Sequence, residues 1–259
     1  MSTYIFSDLH GNYKIWNKIK NFVKPDDILY CLGDCIDKGK GGIAILKEVM
    51  KDPRLQNHVI IGNHEHFLWY NMTFHDRDYF EIWQDPQNGG EYTFNAWKHL
   101  KQEEKDDILD FISNLPAEIT IQNKKGETLI LNHSGYCADY SSPHHNLDNP
   151  YLWDRYQLWN QLRGDDNFFN SEEWKHKYII HGHTPNIAID DYMSYYFLGK
   201  KDYSKEVIQY CHRHKIDLDL GTFITKMAVL FDVDTFDAYY FNESSSCPAP
   251  FKIERLKRC

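Results

Sequence analysis

The 259-residue chain has no apolar run approaching the roughly 18 residues that a membrane-spanning helix needs, which excludes such a span. It also lacks an excess of basic residues. Its 29 lysines and arginines face 38 aspartates and glutamates, a formal net charge of −9. That balance excludes broad coating of nucleic-acid polymers or anionic lipid, which needs a positive surface, so an anionic substrate requires local positive charge. Cysteine is sparse: Cys31, Cys35, Cys137, Cys211, Cys247 and Cys259 are scattered through a chain long enough to bury a core without staples. They read as reduced thiols, and Cys31 and Cys35 have no second thiol pair to complete a structural zinc site. No internal repeat or low-complexity linker divides the sequence. The polar Asp8 to His10 element falls where a secretory signal would carry its apolar stretch, so the expectation is a cytoplasmic protein. What is present, 42% hydrophobic and 15% aromatic residues, suits one packed, monomeric domain over residues 1–259.

The first 65 residues alternate between strand and helix patterns. Thr3 to Ser7 suits a buried strand, and Ile15, Ile19, Phe22 and Val23 then share a helical face. Asp27 to Leu32 reads as a second strand, Ile43 to Met50 as a second helix and His58 to Ile61 as a third strand. Such alternation implies a parallel sheet with helices packed on it, and ligands then gather beyond the carboxyl ends of the strands. Residues 65–114 read as helical and aromatic. Ala117 to Gln122 and Glu127 to Asn132, joined through Asn123 to Gly126, read as a hairpin opening a second sheet region. Lys177 to Ile180, Ile216 to Leu220, Lys226 to Asp232 and Asp237 to Phe241 complete the strand candidates. Residues 186–214, rich in tyrosine, are expected to form an insertion loop or lid, and 244–259 a C-terminal tail that is surface-bound or partly loose.

Five polar strings each follow an expected strand: SDLHG (7–11), GDCIDKG (33–39), GNHEH (62–66), LNHSG (131–135) and HGHTP (181–185). Singly, each is weak. Together they bring Asp, His, Asp, Asn, His and His to strand-end loops of one molecule, as a multinuclear metal site requires. A carboxylate that bridges two cations must supply two oxygens, which Asp34 can do. Mixed nitrogen and oxygen donors suit manganese, iron or zinc better than calcium or magnesium.

With these strings, the stretch from Asp8 to about Phe241 resembles the binuclear metallophosphoesterases, within them the Ser/Thr protein phosphatase branch and its short bacterial and phage members. Ser7 stands where that family usually has Gly. The resemblance implies an α/β fold of two mixed sheets packed together and flanked by helices. It implies two divalent ions, manganese first, bridged by a hydroxide that attacks phosphorus in line. Carried over residue by residue, Asp8 and His10 hold one ion, Asp34 bridges both, and Asn63, His133 and His183 complete the second. Two divalent ions against two liganding carboxylates leave a positive site for phosphate. His64 is then the general acid, Asp37 the carboxylate that orients it, and Asn63, Arg155 and Lys38 the phosphate-binding groups.

The chain departs from the branch in having Lys38 and Ile61 where two arginines usually stand. Lysine supplies a point charge without arginine's planar fork, which leaves Arg155 as the principal clamp. The reaction expected is therefore phosphomonoester hydrolysis on a phosphorylated protein or small phosphoester. Hydrolysis of dinucleoside polyphosphates is the alternative and a non-catalytic metal-stabilised scaffold a third. Glu65, His66 and His181 are expected to support the site rather than bind metal. His144 and His145 border the cleft at most, and the tyrosines of the 192–210 region are expected to pack within their loop.

Overall fold

The computed structural model describes residues 1–140, 149–189, 191 and 206–244, and the backbone of 249–252. Two five-stranded mixed sheets lie at its centre. The first, in spatial order, contains β10 (Ala249–Lys252), β9 (Asp237–Asn242), β8 (Met227–Asp232), β1 (Thr3–Phe6) and β2 (Ile28–Cys31). The second contains β3 (Glu118–Gln122), β4 (Thr128–Asn132), β5 (Lys177–His181), β7 (Lys215–Asp217) and β6 (Ile208–Tyr210). Among the described strands, β1 pairs in parallel with β2, and β5 with its neighbours β4 and β7.

Strand alternation explains the layering, because successive side chains point to opposite faces. Ile5 and Tyr30 from the first sheet meet Leu129, Leu131, Ile180 and Ile216 from the second in a core between the sheets. Their neighbours Tyr4, Phe6, Leu29 and Cys31 face the other way. There they pack under α1 (Tyr13–Phe22), α2 (Gly42–Val49), α3 (Asn63–Phe74), α5 (Gly90–Trp97) and α6 (Gln102–Ser113). Between α3 and α5 lies α4 (Arg77–Gln84). On the far face of the second sheet, Ile179 and Tyr210 join Leu158, Phe169 and Trp174. Asn12 caps α1 by accepting from the Ile15 amide at 3.2 Å, which sets the helix start directly after the SDLHG loop.

Two details depart from the sequence reading and a third makes it more specific. Residues 58–61 form only a single parallel bridge, Val59 to Cys31, because the Ile61 amide turns to the Pro116 carbonyl instead. Within the expected lid, 190 and 192–205 lie outside the described residues, while 206–214 supplies β6 and a turn, an edge of the second sheet. In the expected C-terminal tail, 249–252 is bound at the sheet edge by pairing with β9. Pro250 fits there because an edge strand can spare an amide proton. Cys247, Cys259, His144 and His145 lie outside the described residues, and the other four cysteines are free thiols. No helix among the described residues is long and apolar enough to cross a membrane.

Candidate active site

Five loops meet at one edge of the paired sheets, and every one of the ten site residues expected from sequence falls in or beside them. The loops are tightly bent. Asp8, His10, Asp34, Asp37, Lys38 and His183 all adopt left-handed backbone, with φ of 51°, 44°, 56°, 62°, 57° and 71°. Each costs of order 1 kcal/mol or more and persists only where the surroundings hold it. Those surroundings leave no spare room. A Cβ on Gly62 would stand 2.2 Å from Asp34 Oδ1, and one on Gly182 would stand 1.9 Å from Asp8 Oδ2. Both loops therefore need glycine to bring the backbone against a carboxylate.

Asp34 is the hub. Its Oδ2 lies 3.4 Å from His133 Nε2, 3.7 Å from His10 Nε2 and 3.8 Å from His64 Nε2. Asp8 Oδ1 is 3.8 Å from the same His10 nitrogen. Asn63 Oδ1 faces two rings at once, His133 Nε2 at 2.8 Å and His183 Nδ1 at 2.9 Å. Backbone carbonyls orient two of the rings. His10 Nδ1 donates to Ile36 O at 3.2 Å and His133 Nδ1 to Leu32 O at 2.7 Å. In the neutral rings the Nε2 lone pair of His133 then faces the Asp34 and Asn63 oxygens, and that of His10 faces the Asp8 and Asp34 carboxylates as well as Lys38 Nζ.

Lone pairs facing lone pairs at such distances need positive charge among them. Donors around one ion, each ~2.1 Å from it, stand roughly 3.0 to 3.4 Å apart, close to the separations seen here. The ligand atoms of Asp8, Asp34 and His133 all lie within 4.8 Å of one another, as do those of His10, Asp34 and His64, and Asp34 belongs to both groups. The donor set thus fits a pair of divalent ions sharing Asp34. The same crowding governs protonation. Burial opposes charge on His133, yet Asp34 and Asp8 push its pKa up to about 9. Burial also opposes ionisation of Asp34, but His133 and His64 outweigh it and hold that carboxyl well below its usual range. Burial, assisted by Lys38 and Arg155 respectively, keeps His10 and His183 neutral, as metal ligation requires.

His64, a member of the second of these groups, also contacts Asp37. His64 occupies the first turn of α3 and its Nδ1 is 2.7 Å from Asp37 Oδ2, while its amide donates to Asp34 Oδ1 at 3.1 Å. Lys38 Nζ lies 3.1 Å from His10 Nε2, on a stem long enough to swing toward substrate. Ile61 packs against the helical core and offers no charge. Arg155 is solvent-exposed yet anchored, donating to His183 O at 3.1 Å and Thr184 Oγ1 at 3.3 Å.

The supporting residues sort by chemistry. Glu65 is buried and accepts from the amides of Asp34 at 2.7 Å and Cys35 at 2.8 Å. Burial, then the Asp34 charge, raises its pKa to about 7. Ser7 donates to Asp8, and His181 Nε2 meets the Tyr210 hydroxyl at 2.9 Å. Tyr210 is thereby a buried packing residue, while Tyr192, Tyr195, Tyr196 and Tyr203 lie outside the described residues. His66 contacts Tyr79.

Sequence reasoning overlooked Trp83, Thr93, Lys215, Asp217 and Asp219. Ile216, Leu218 and Leu220 face the core between the sheets, so Lys215, Asp217 and Asp219 alternate onto the other side. That alternation is a signal readable in KIDLDL. Each aspartate accepts a local amide through Oδ1 and leaves Oδ2 buried without a partner. Burial raises Asp219 to about 6.

A family profile described as calcineurin-like phosphoesterase matches residues 1–219. No curated protein matches the sequence. Among solved structures, a metallophosphoesterase from Sphaerobacter thermophilus superposes with a TM-score of 0.52 at 15% identity, covering 93% of this chain and 86% of that one. A protein serine/threonine phosphatase from Saccharomyces cerevisiae gives 0.51 at 15%, covering 90% and 72%. A protein described as a diadenosine tetraphosphatase gives 0.50 at 15%, covering 96% and 92%. At such identities the structures speak for the fold, while the profile spans most of the chain, which therefore belongs to the calcineurin-like phosphoesterases, enzymes that hydrolyse phosphoester bonds.

Proposed function

We propose that this enzyme is a metal-dependent phosphomonoesterase acting on phosphoserine or phosphothreonine in proteins. In this reading Asp8, His10, Asp34, Asn63, His133 and His183 hold two divalent ions. Manganese is the first choice for this nitrogen and oxygen donor set, with iron or zinc as the other fits. Such ions would lower the pKa of bound water and offset the charge that builds on the phosphate oxygens.

The observation that carries the reading is the 2.7 Å contact between Asp37 Oδ2 and His64 Nδ1. A carboxylate at Nδ1 holds a proton on that nitrogen, so Nε2 is the atom that faces the leaving oxygen and passes a proton to it. An unactivated serine alkoxide leaves poorly without that proton. Asn63 turns its Oδ1 toward His133 and His183, which leaves its amide nitrogen for a phosphate oxygen. Arg155, held by His183 O and Thr184, and Lys38, swung from His10, supply the remaining positive charge. Buried free thiols suit a reducing cytoplasmic setting.

Dinucleoside polyphosphate hydrolysis is the second reading, favoured by Lys38 and by the apolar, core-packed Ile61 where a phosphate-gripping arginine would serve a protein phosphatase. Metal analysis with a substrate panel separates the two. The chelated enzyme is expected to be inactive and manganese to restore it, with a phosphoserine peptide hydrolysed faster than a dinucleoside tetraphosphate. The reverse preference would replace the first reading by the second.

A further inference from the structure

We propose that Trp83 is a positioning residue for proton transfer and that the α4–α5 hairpin is part of the acid machinery. The inference rests on the reading of His64 as the acid. Asp37 is fully buried, and its Oδ2 accepts from both His64 Nδ1 at 2.7 Å and Trp83 Nε1 at 2.8 Å, while Oδ1 has no partner. An indole N–H can only donate, so Asp37 Oδ2 must be an acceptor there. The proton in the second bond therefore sits on His64 Nδ1, and Nε2 is left to exchange the reacting proton.

Trp83 is itself immobilised. It is fully buried and stands edge-on to Phe80, with ring centroids 5.8 Å apart, and to Phe94 at 6.1 Å. The two glycines that follow α4 mould the hairpin onto the catalytic loop. Gly89 accepts the Lys38 amide at 3.1 Å, and a Cβ on it would stand 2.8 Å from Lys38 Cα. A Cβ on Gly90 would stand 2.6 Å from Trp83 Nε1. From α5, Thr93 Oγ1 accepts the Asp37 amide at 2.9 Å. The hairpin thus holds Asp37 at backbone and side chain together, 46 residues away in sequence. Without the indole, a buried carboxylate keeps one donor and can rotate, releasing the ring it orients.

The test is a comparison of leaving groups. An aryl phosphate such as 4-nitrophenyl phosphate departs as a stabilised anion and needs little proton help, whereas a phosphoserine peptide needs much. Trp83→Phe is expected to lower kcat on the peptide about tenfold, with KM unchanged and 4-nitrophenyl phosphate affected less than about twofold. His64→Asn should show the same selectivity more strongly. In an Asp37→Asn background the Trp83→Phe change should add nothing, since both act through one carboxylate. Equal losses on both substrates, no loss, or additivity with Asp37→Asn would overturn the proposal while His64→Asn stayed selective. An unselective His64→Asn would overturn the acid reading and this inference with it. Should Trp83→Phe fail to fold, the indole N–H resonance of Trp83 decides: a shift in Asp37→Asn supports the contact, and an unmoved resonance refutes it.

Discussion

Glu65 gathers the amides of Asp34 and Cys35 into a buried carboxylate, whereas Lys215 sends a buried ammonium to the Gly135 carbonyl, 2.5 Å away, behind the His133 loop. The loop leaving β2 in the first sheet is held by an anion and the His133 loop leaving β4 in the second by a cation. Each choice follows from what the loop leaves unsatisfied: amide protons where the chain turns from β2 toward Asp34, and a carbonyl where Gly135 turns with φ of 78°. Lys215 lies over the rings of Phe169 and Tyr210, 5.4 and 5.9 Å from their centroids, which replace part of its lost hydration. Two loops of one centre are thus held by opposite charges.

The comparison breaks first at its shared member. Asp34→Asn should lower hydrolysis of 4-nitrophenyl phosphate by about a thousandfold or more, ~4 kcal/mol of lost transition-state stabilisation, with the far-ultraviolet circular dichroism unchanged. Full activity in this variant would remove Asp34 from the chemistry. Next comes the anionic side. Glu65→Ala leaves buried amides without an acceptor and should cost about 3 to 5 kcal/mol, a fall in Tm of roughly 10 °C by calorimetry. Lys215→Met should cost less, about 1 to 3 kcal/mol, because it strands one carbonyl where Glu65→Ala strands two amides, burial penalties being relieved in both. A larger loss in Lys215→Met than in Glu65→Ala would invert the ranking.

Smallest is the pH response of the metal-free chain. His133 has its folded pKa raised from 6.5 to about 9, so its stabilisation is complete below pH 6.5 and is lost as pH rises through 9. With chelator present, stability should fall by about 1 kcal/mol between pH 7 and 8, seen as a declining Tm. Manganese, which requires a neutral His133, should flatten that slope, and so should His133→Gln. A slope that survives both would place the titration elsewhere.

The five loop strings were legible because each packs its chemistry within five to seven consecutive residues directly after a strand, and such strands announce themselves by apolar runs. Glu65 was recognisable as a supporting carboxylate from its place at the start of α3. Residues 58–61 misled because an apolar run predicts burial, and burial here comes from core packing with a single bridge to Cys31. The Trp83 contact was not legible, since a tryptophan on an amphipathic helix looks like core and this one is core apart from a single N–H.

Residue types and their local spacing therefore determined the site's donor set, the order of its loops and the alternation that layers the sheets, because those depend on neighbours along the chain. Tertiary structure alone decided which charge lies beneath each loop, which histidine nitrogen faces the centre and which helix grips Asp37. Those outcomes depend on atoms far apart in sequence, 101 residues for His133 with Leu32 and 80 for Lys215 with Gly135, meeting where burial makes an unpaired polar group costly.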